Sequence, residues 1–263
     1  MAIQVSGTSV INDSRQLQNI ASVDSTTAAS ITAAGVGGGP DLYVVPTWGS
    51  PQANYTSSTT WSKPGSVGDN SWVTFYLVGG GGSGYNWGAN FSQGGHGAAA
   101  YIVCILGSKI TASVTITVGA GGAASAQGSA GNAGADTTIS MGGDTYTASG
   151  GLAGSGQQTA ATFTAFGGYR LAEQSGFPNA IPLPSDVDGG HSKYSSGATS
   201  VGSVFGGAGG GGWYYGQAFP GTSTYGGNGG AYNAAGSVPG GGGGGGLSGG
   251  SNAGGGGSVR IYY

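Results

Sequence analysis

The titratable residues most able to do chemistry lie close together in one short stretch, SDVDGGH, at residues 185–191. Asp186 and Asp188 alternate before a glycine turn and His191, as the first carboxylates of a calcium-binding loop do. The rest of that pattern and its closing glutamate are missing. A solvated turn is therefore the favoured interpretation, a metal site at Asp186 and Asp188 is the alternative, and we expect no cofactor.

Catalysis is a second possibility, and it would require two side chains that act together, such as two carboxylates or a cysteine and a histidine. A glycan-cleaving enzyme uses two carboxylates at a set separation, and the only dense group among the nine carboxylates is Glu173 with Asp186 and Asp188. Cys104 lies in the apolar run AYIVCILG. There a buried structural cysteine is favoured over a nucleophile paired with His96. We therefore expect no enzymatic activity, with glycan hydrolysis as the alternative.

Aromatic side chains beside glycine runs are the main candidates for binding a surface or a sugar. Tyrosine and tryptophan offer large, rigid contact area and stack on sugar rings. They occur in GYNWGANF, GWYYGQAF and STYGGNGGAYN, and a Tyr-Arg pair opens a glycine-poor stretch at 169–194. The binding candidates are Tyr85, Trp87, Phe91, Tyr169, Arg170, Trp213, Tyr214, Tyr215, Tyr225 and Tyr232. The alternative for each ring is burial against a glycine-rich layer, which is the commoner fate of clustered aromatic residues.

These residues must be positioned by a chain that is unusually rich in glycine. Glycine makes up 63 of 263 residues, over three times its usual share of about 7%. Hydrophobic residues make up 37% and the net charge is only −3, which is not the composition of a disordered chain. An ordered glycine costs about 0.5–1 kcal/mol more than alanine. We expect close backbone approach and hydrogen bonding between neighbouring segments to offset that cost.

Charge and hydropathy exclude several classes of partner. The chain is slightly acidic and has no lysine or arginine cluster, so neither nucleic acid nor anionic lipid is an expected partner. It has no run of 18 apolar residues, so we expect no membrane insertion. The segment MAIQVSGTSV lacks a basic stretch followed by an apolar core, so we expect no signal peptide. A single cysteine excludes an internal disulfide framework.

Hydrophobic periodicity predicts an all-β fold. Residues 72–78 are apolar on both faces, which is typical of a central strand covered on both sides. Residues 97–107 form another apolar run, 110–122 and 258–263 alternate, and 136–151 read as a hairpin that turns at 142–144. The residues predicted to face inward on the alternating strands are Val114, Ile116, Val118, Val259, Ile261 and Tyr263. We therefore predict an antiparallel, β-sandwich-like domain.

Glycine tracts follow these strands at residues 79–82, 209–212, 240–246 and 254–257. They have no fixed period and prolines are few, which excludes collagen. The tract at 240–246 leads through more glycine to the last strand, which needs a sheet to pair with. We therefore predict that this tract is an ordered interior layer packed beside the other tracts, and that Gly243→Val destabilises the domain.

Residues 1–39 form a separate region, and GVGGGP at 35–40 is the predicted boundary. IQVSGTSVI predicts a hairpin that turns at Ser6 and Gly7. The region has too few apolar residues to bury a core alone, so it needs another copy of itself or another protein. The residues expected to make that contact are Ile3, Val5, Val10, Ile11, Leu17 and Ile20. Residues 40–263 then form the glycine-rich β domain, with 169–194 as a long surface loop.

Four motifs follow one another along the main domain: TTWSKPGSVGDNSWVTFYLVGGGGSG, VTITVGAGGAA, GNAGADTTI and the closing GGGGSVRIYY. Their order and spacing over residues 56–263 resemble the glycine-rich domain of bacteriophage tail-fibre and other virion proteins. VSGTSVIN and QLQNIAS, in the first 39 residues, resemble the leading segments of phage fibre proteins.

The resemblance implies a tail-fibre protein on the phage particle surface, a non-enzymatic adhesin or structural component that attaches to the host. In related tip adhesins, glycine tracts form three-residue-per-turn helices packed side by side, and loops at one end bind the bacterial surface. Leading segments of this kind intertwine as trimers. The expected partners are therefore two further copies, other tail or baseplate proteins through residues 1–39, and a host surface glycan or outer-membrane protein. The alternatives are a glycan-degrading fibre enzyme and a bacterial glycine-rich surface or matrix protein.

Overall fold

A computed structural model describes residues 3–5, 8–11, 50–85, 91–154, 202–214, 220–246 and 252–263. The chain divides into two compact units, residues 1–49 and 50–263; the predicted boundary at 39/40 lies outside the described residues. In the first unit, Ile3–Val5 (β1) and Thr8–Ile11 (β2) pair antiparallel, which confirms the predicted hairpin. Of the residues expected to make the contact between copies, Ile3, Val5, Val10 and Ile11 lie in this hairpin. Leu17 and Ile20 lie outside the described residues.

The second unit contains two four-stranded antiparallel sheets, and this confirms the all-β prediction. The first sheet has the order β3-β12-β5-β7, built from Ala53–Tyr55 (β3), Ser258–Tyr262 (β12), Trp72–Val78 (β5) and Ala100–Leu106 (β7). The second has the order β10-β9-β8-β4, built from Asp144–Ala148 (β10), Thr137–Met141 (β9), Ser113–Thr117 (β8) and Thr59–Ser62 (β4). Phe91–Ser92 (β6) and Trp213–Tyr214 (β11) form a separate antiparallel pair, and Gly107–Lys109 forms a short 3₁₀ turn.

The hydrophobic core forms from the inward faces of the two sheets, in a sandwich-like arrangement. Alternate residues of β5 and β12 meet alternate residues of β8 and β9, as period-2 side-chain alternation requires. The largest of its fully buried members are Val73, Phe75, Leu77, Val114, Ile116, Ile139, Val259 and Ile261. Val118 packs half-buried against this core. Tyr263 approaches Trp61, with ring centroids 6.1 Å apart, but is 41% exposed because it lies one residue beyond β12.

The predicted turn between β9 and β10 is confirmed. Gly142 and Gly143 connect the strands and have φ angles of 59° and 92°. A two-residue hairpin turn that matches the strand twist needs positive φ at both positions, and glycine adopts it without the clash that a Cβ would cause.

Glycine tracts extend from the strand ends and pack into what we call the glycine bundle, defined by residues 79–85, 93–99, 119–135, 149–154, 206–212, 226–246 and 252–257. Its hydrogen bonds show a period of three. Along 79–85, the amides of Gly79, Gly82 and Tyr85 donate to the carbonyls of Ala99, His96 and Gln93. The amides of Gly80 and Ser83 donate to the carbonyls of Ala135 and Asn132, and the amides of Gly81 and Gly84 donate to the carbonyls of Gly255 and Asn252. Successive amides therefore point to three neighbours in turn. This is the geometry of an extended helix with three residues per turn and no internal hydrogen bonds.

Most of these residues must be glycine because of space. A Cβ added at Gly80, Gly82, Gly84 or Gly243 would lie closer than 3.0 Å to a carbonyl of a neighbouring tract. Among the described glycines, positive φ angles occur only at Gly128, Gly142, Gly143 and Gly240. Close backbone approach, rather than unusual dihedrals, thus explains the composition, as the sequence predicted.

Candidate functional site

The topology of the glycine bundle creates one end that is remote from the sheets. Residues 79–85 lead away from β5 and residues 93–99 return to β7. The chain likewise leaves β8 at 119–125 and returns to β9 at 131–135. It leaves β10 at 149–154 and returns to β12 at 252–257. We call the end where these tracts turn back the distal end.

Backbone hydrogen bonds hold several tracts together at the distal end. Tyr85 donates to the Gln93 carbonyl at 2.8 Å, and Gly246 donates to the Tyr85 carbonyl at 3.2 Å. Beside them, Trp213 and Tyr214 of β11 pair with Ser92 and Phe91 of β6. Segments far apart in the sequence are therefore brought together at this end.

A buried polar network ties three tracts together there. Asn252 is fully buried; its Nδ2 donates to the Gly84 carbonyl at 2.7 Å and to Ser125 Oγ at 3.0 Å. The Asn252 Oδ1 accepts the Ser125 amide at 3.0 Å, and Ser125 Oγ donates to the same Gly84 carbonyl at 3.0 Å. A satisfied buried network of this kind rigidifies its surroundings, because separating its members would leave polar groups unpaired.

The aromatic candidates in GYNWGANF, GWYYGQAF and Tyr232 map to the distal end where they fall within the described residues. Tyr232 is half-buried in the turn at 231–233, where the Asn233 amide donates to the Gly245 carbonyl at 3.1 Å. Tyr85 is only 5% exposed, which favours a packing role for its ring. Phe91, Trp213 and Tyr214 lie in the β6–β11 pair. Trp87, Tyr169, Arg170, Tyr215, Asp186 and Asp188 lie outside the described residues.

Tyr225 lies elsewhere, on the outer face of the first sheet. Its ring stacks on Phe205 with centroids 5.4 Å apart, and its carbonyl accepts a hydrogen bond from Arg260 Nη1 at 3.0 Å. The Arg260 guanidinium lies over the ring of Tyr76, with its Cζ 5.4 Å from the ring centroid. The register pairs Arg260 with Tyr76 across β12 and β5. The alternating pattern of β12, which places Arg260 on the face opposite Val259 and Ile261, was the sequence feature that could have indicated this cation–π pair.

Burial governs the ionisation of this cluster. Tyr76 is fully buried and donates its hydroxyl hydrogen bond to the Phe205 carbonyl. Burial raises the pKa of Tyr76 well above its ordinary value, and the nearby Arg260 only partly opposes this. Burial likewise raises the pKa of Tyr262, again opposed by Arg260. The neutral hydroxyls and the covering rings indicate that this cluster packs the loops at 203–206 and 222–226 onto the sheet.

Cys104 and His96, the residues considered for nucleophilic chemistry, are both packed within the domain. Cys104 is half-buried in β7, with its Sγ 3.2 Å from Thr74 Oγ1. His96 is 4% exposed within the glycine bundle. Across the described ranges, no group of three or more His, Cys, Asp or Glu side chains is placed to hold a metal ion. In the same part of the chain, no helix has the length and apolar character needed to cross a membrane.

Comparison with known proteins identifies the family to which the chain belongs. Comparison with curated proteins gives no match. A family model described as a glycine-rich domain matches residues 53–263, well over half of the chain and nearly all of the second unit. The match spans both sheets and every tract of the glycine bundle, so the chain belongs to the glycine-rich domain family.

Proposed function

We propose that this protein is a bacteriophage tail-fibre component on the particle surface that attaches to the host cell, as a non-enzymatic adhesin or structural protein. The observation that carries the proposal is the geometry of the distal end. A bundle held by backbone hydrogen bonds brings together, at this end, segments of the chain whose sequences contain several tyrosines and tryptophans. The motif resemblance to virion fibre proteins supports the same conclusion.

The glycine bundle suits such a role because its interior consists mostly of backbone. Interior contacts between glycines do not depend on residues where the tracts turn back. Those residues can therefore vary in sequence without disturbing the scaffold. Binding residues are found disproportionately on connections held by a rigid framework.

The uncharged character of the described residues of the glycine bundle favours a neutral ligand. Among the described residues of the glycine bundle there is no Asp, Glu, Lys or Arg. The sequences at this end supply tyrosine, tryptophan and amide side chains, which can stack on sugar rings and hydrogen-bond to hydroxyl groups. A host surface glycan is therefore the proposed receptor, with an outer-membrane protein as the other possibility. The carboxylates that a glycan-cleaving enzyme would need, Glu173, Asp186 and Asp188, lie outside the described residues.

The proposal also gives residues 1–39 a role in assembly. The β1–β2 hairpin has only two strands, and an isolated hairpin is marginally stable in water. We propose that this segment joins three copies into a homotrimer and attaches them to other tail or baseplate proteins.

A cell-binding experiment tests the proposal. Labelled full-length protein would be incubated with a panel of bacterial strains, and with their isolated surface polysaccharides as competitors. We expect saturable binding to particular strains, reduced several-fold by Tyr232→Ala at the distal end. Tyr263→Ala is the matched control, because Tyr263 is also a partly exposed tyrosine but follows β12 at its end remote from the bundle.

Two outcomes would overturn the proposal. Equal loss of binding in both tyrosine variants would remove the distal end as the binding surface. Release of reducing ends from the polysaccharide by the wild-type protein would replace the adhesin with a glycan-degrading enzyme.

A further inference from the structure

Three of the four outer edges of the two sheets carry protection against pairing with another strand. β3 has only three residues and follows Pro51. β4 has four residues and is followed by Lys63 and Pro64. β10 carries Asp144 and exposed threonines. Short strands, prolines and charges are the usual means by which proteins block edge-to-edge association.

β7 is different. It has seven residues, AYIVCIL, with no charge, proline or glycine, and it is the outermost strand of its sheet. A long, apolar, unprotected edge strand is a template for pairing with another chain.

The hydrogen-bond register shows which backbone groups of β7 point outward. Gly107 donates to the Ser71 carbonyl at 2.7 Å, and Gly79 donates to the Ala99 carbonyl at 3.1 Å. Both pairs join odd-numbered residues that flank β5 and β7, and they continue the antiparallel register of the two strands, in which odd-numbered residues lie opposite odd-numbered residues. Because hydrogen-bonded pairs alternate along antiparallel strands, the even-numbered residues of β7 direct their N–H and C=O groups away from β5. Over the described part of the chain, no hydrogen bond reaches the outward groups of Ile102, Cys104 and Leu106.

The side chains of the same three residues are apolar and half-buried on the outer face of the sheet. The edge therefore offers alternating backbone donors and acceptors flanked by apolar, uncharged side chains. A strand added here would meet hydrogen-bonding partners and no charge repulsion.

We propose that β7 pairs with β7 of a second copy of this protein, antiparallel and related by a twofold axis near Val103. That axis places residue 102 opposite residue 104 of the partner, so outward-pointing groups meet outward-pointing groups along the whole overlap. Such an isologous contact is closed, because each copy offers one unprotected edge and uses it once. The two four-stranded sheets would become one continuous sheet. This contact is separate from the trimer proposed for residues 1–39.

The mass of the full-length protein in solution tests the contact. Ile102→Pro removes an outward N–H, and an edge strand tolerates proline where the N–H faces solvent. Two trimers held by residues 1–39 would be joined by three such contacts, so we expect this variant to have half the mass of the wild type by light scattering. Thr147→Pro is the matched control: Thr147 is exposed on β10, at an outward position set by the two-residue turn after Met141. Its mass should equal that of the wild type.

Cross-linking gives a readout that needs no substitution. Cys104 is the single cysteine of the chain, so a bis-maleimide can join copies only through Cys104. In the proposed register the two cysteines are diagonal neighbours, about 7–8 Å apart. We expect a short bis-maleimide to produce a covalent dimer from the native protein, and none after unfolding in urea. A wild type that gives no such dimer, or that has the same mass as a folded Ile102→Pro variant, would overturn the proposal.

Discussion

At the residue scale, Tyr76 shows how a buried polar atom is accommodated. Its hydroxyl donates to the Phe205 carbonyl and its ring lies beneath the Arg260 guanidinium. The sequence predicted that β5 would be covered on both faces, and Tyr76 lies on the face opposite the core. The loop carrying Phe205 provides that cover from 129 positions away in the chain.

The raised pKa of Tyr76 makes folding sensitive to alkaline pH. A tyrosine with a higher pKa in the folded chain contributes fully to stability below its unfolded value of about 10. That contribution is lost as the pH rises toward the folded-state value, because the unfolded chain releases the proton first. We expect the free energy of unfolding to fall above pH 10, and Tyr76→Phe to lessen that fall by up to about 1.4 kcal/mol per pH unit.

Denaturant unfolding of both proteins between pH 7 and pH 11.5 would measure this effect. At pH 7 the variant should be about 1 kcal/mol less stable, because it lacks the hydrogen bond to Phe205. Parallel curves for the two proteins above pH 10 would contradict the assignment.

At the element scale, the glycine tract is the unusual unit of this fold. In the run 240–246, no residue donates a backbone hydrogen bond to another residue of the run, and there is no side-chain pattern, so the run is ordered by its neighbours. Along 240–246, Gly242 and Gly245 donate to Ala208 and Gly211, while Gly243 and Gly246 donate to Gly82 and Tyr85. The tract is therefore an interior element, as predicted, and not a flexible linker.

Two glycines with different surroundings test this view. A Cβ at Gly243 would lie closer than 3.0 Å to the Asn252 carbonyl, whereas at Gly256 the nearest atom, the Gly119 carbonyl oxygen, is 4.0 Å away. We expect Gly243→Val to lower the free energy of unfolding by about 3 kcal/mol or more, as an overpacked interior does. Gly256→Ala should leave stability unchanged or raise it by about 0.4–1 kcal/mol, because it restricts the unfolded chain. Thermal or denaturant unfolding would measure both; equal tolerance of the two substitutions would favour a linker.

At the scale of the whole molecule, the two units have different means of stabilisation. Residues 50–263 contain a sandwich-like core and the glycine bundle. The described part of residues 1–49 is a two-stranded hairpin. The second unit is therefore equipped to fold by itself, whereas the hairpin needs a partner to be stable.

Deleting residues 1–39 should separate assembly from folding. We expect the shortened protein to keep the β-sheet circular dichroism and cooperative unfolding of the full-length chain, and the number of copies per particle, measured by light scattering, to fall threefold. It should also fail to be incorporated into phage particles. If the full-length and shortened proteins contain the same number of copies per particle at micromolar concentration, the proposed trimer is wrong.

Local patterns in the sequence were enough to predict most strands of the two sheets, but not β3, nor the β6–β11 pair. Alternation identified β8 and β12, apolar character on both faces identified β5, and paired glycines identified the turn between β9 and β10. Each of these features depends on residues a few positions apart, because strand periodicity and turn dihedrals are local. The strong excess of glycine likewise predicted close backbone packing.

Only the tertiary structure decided which tracts are neighbours and where the aromatic residues lie. A run of glycine has no face and no side-chain period, so its sequence carries no information about its partners. Asn252 bonds to Gly84 from 168 positions away, and nothing near either residue predicts it. For the same reason, similar tyrosine-glycine motifs have different environments: Tyr85 is buried at the distal end, while Tyr225 packs beside Arg260 on the sheet. The glycine content alone predicted close backbone packing, but the positions of the described rings depended on long-range backbone hydrogen bonds.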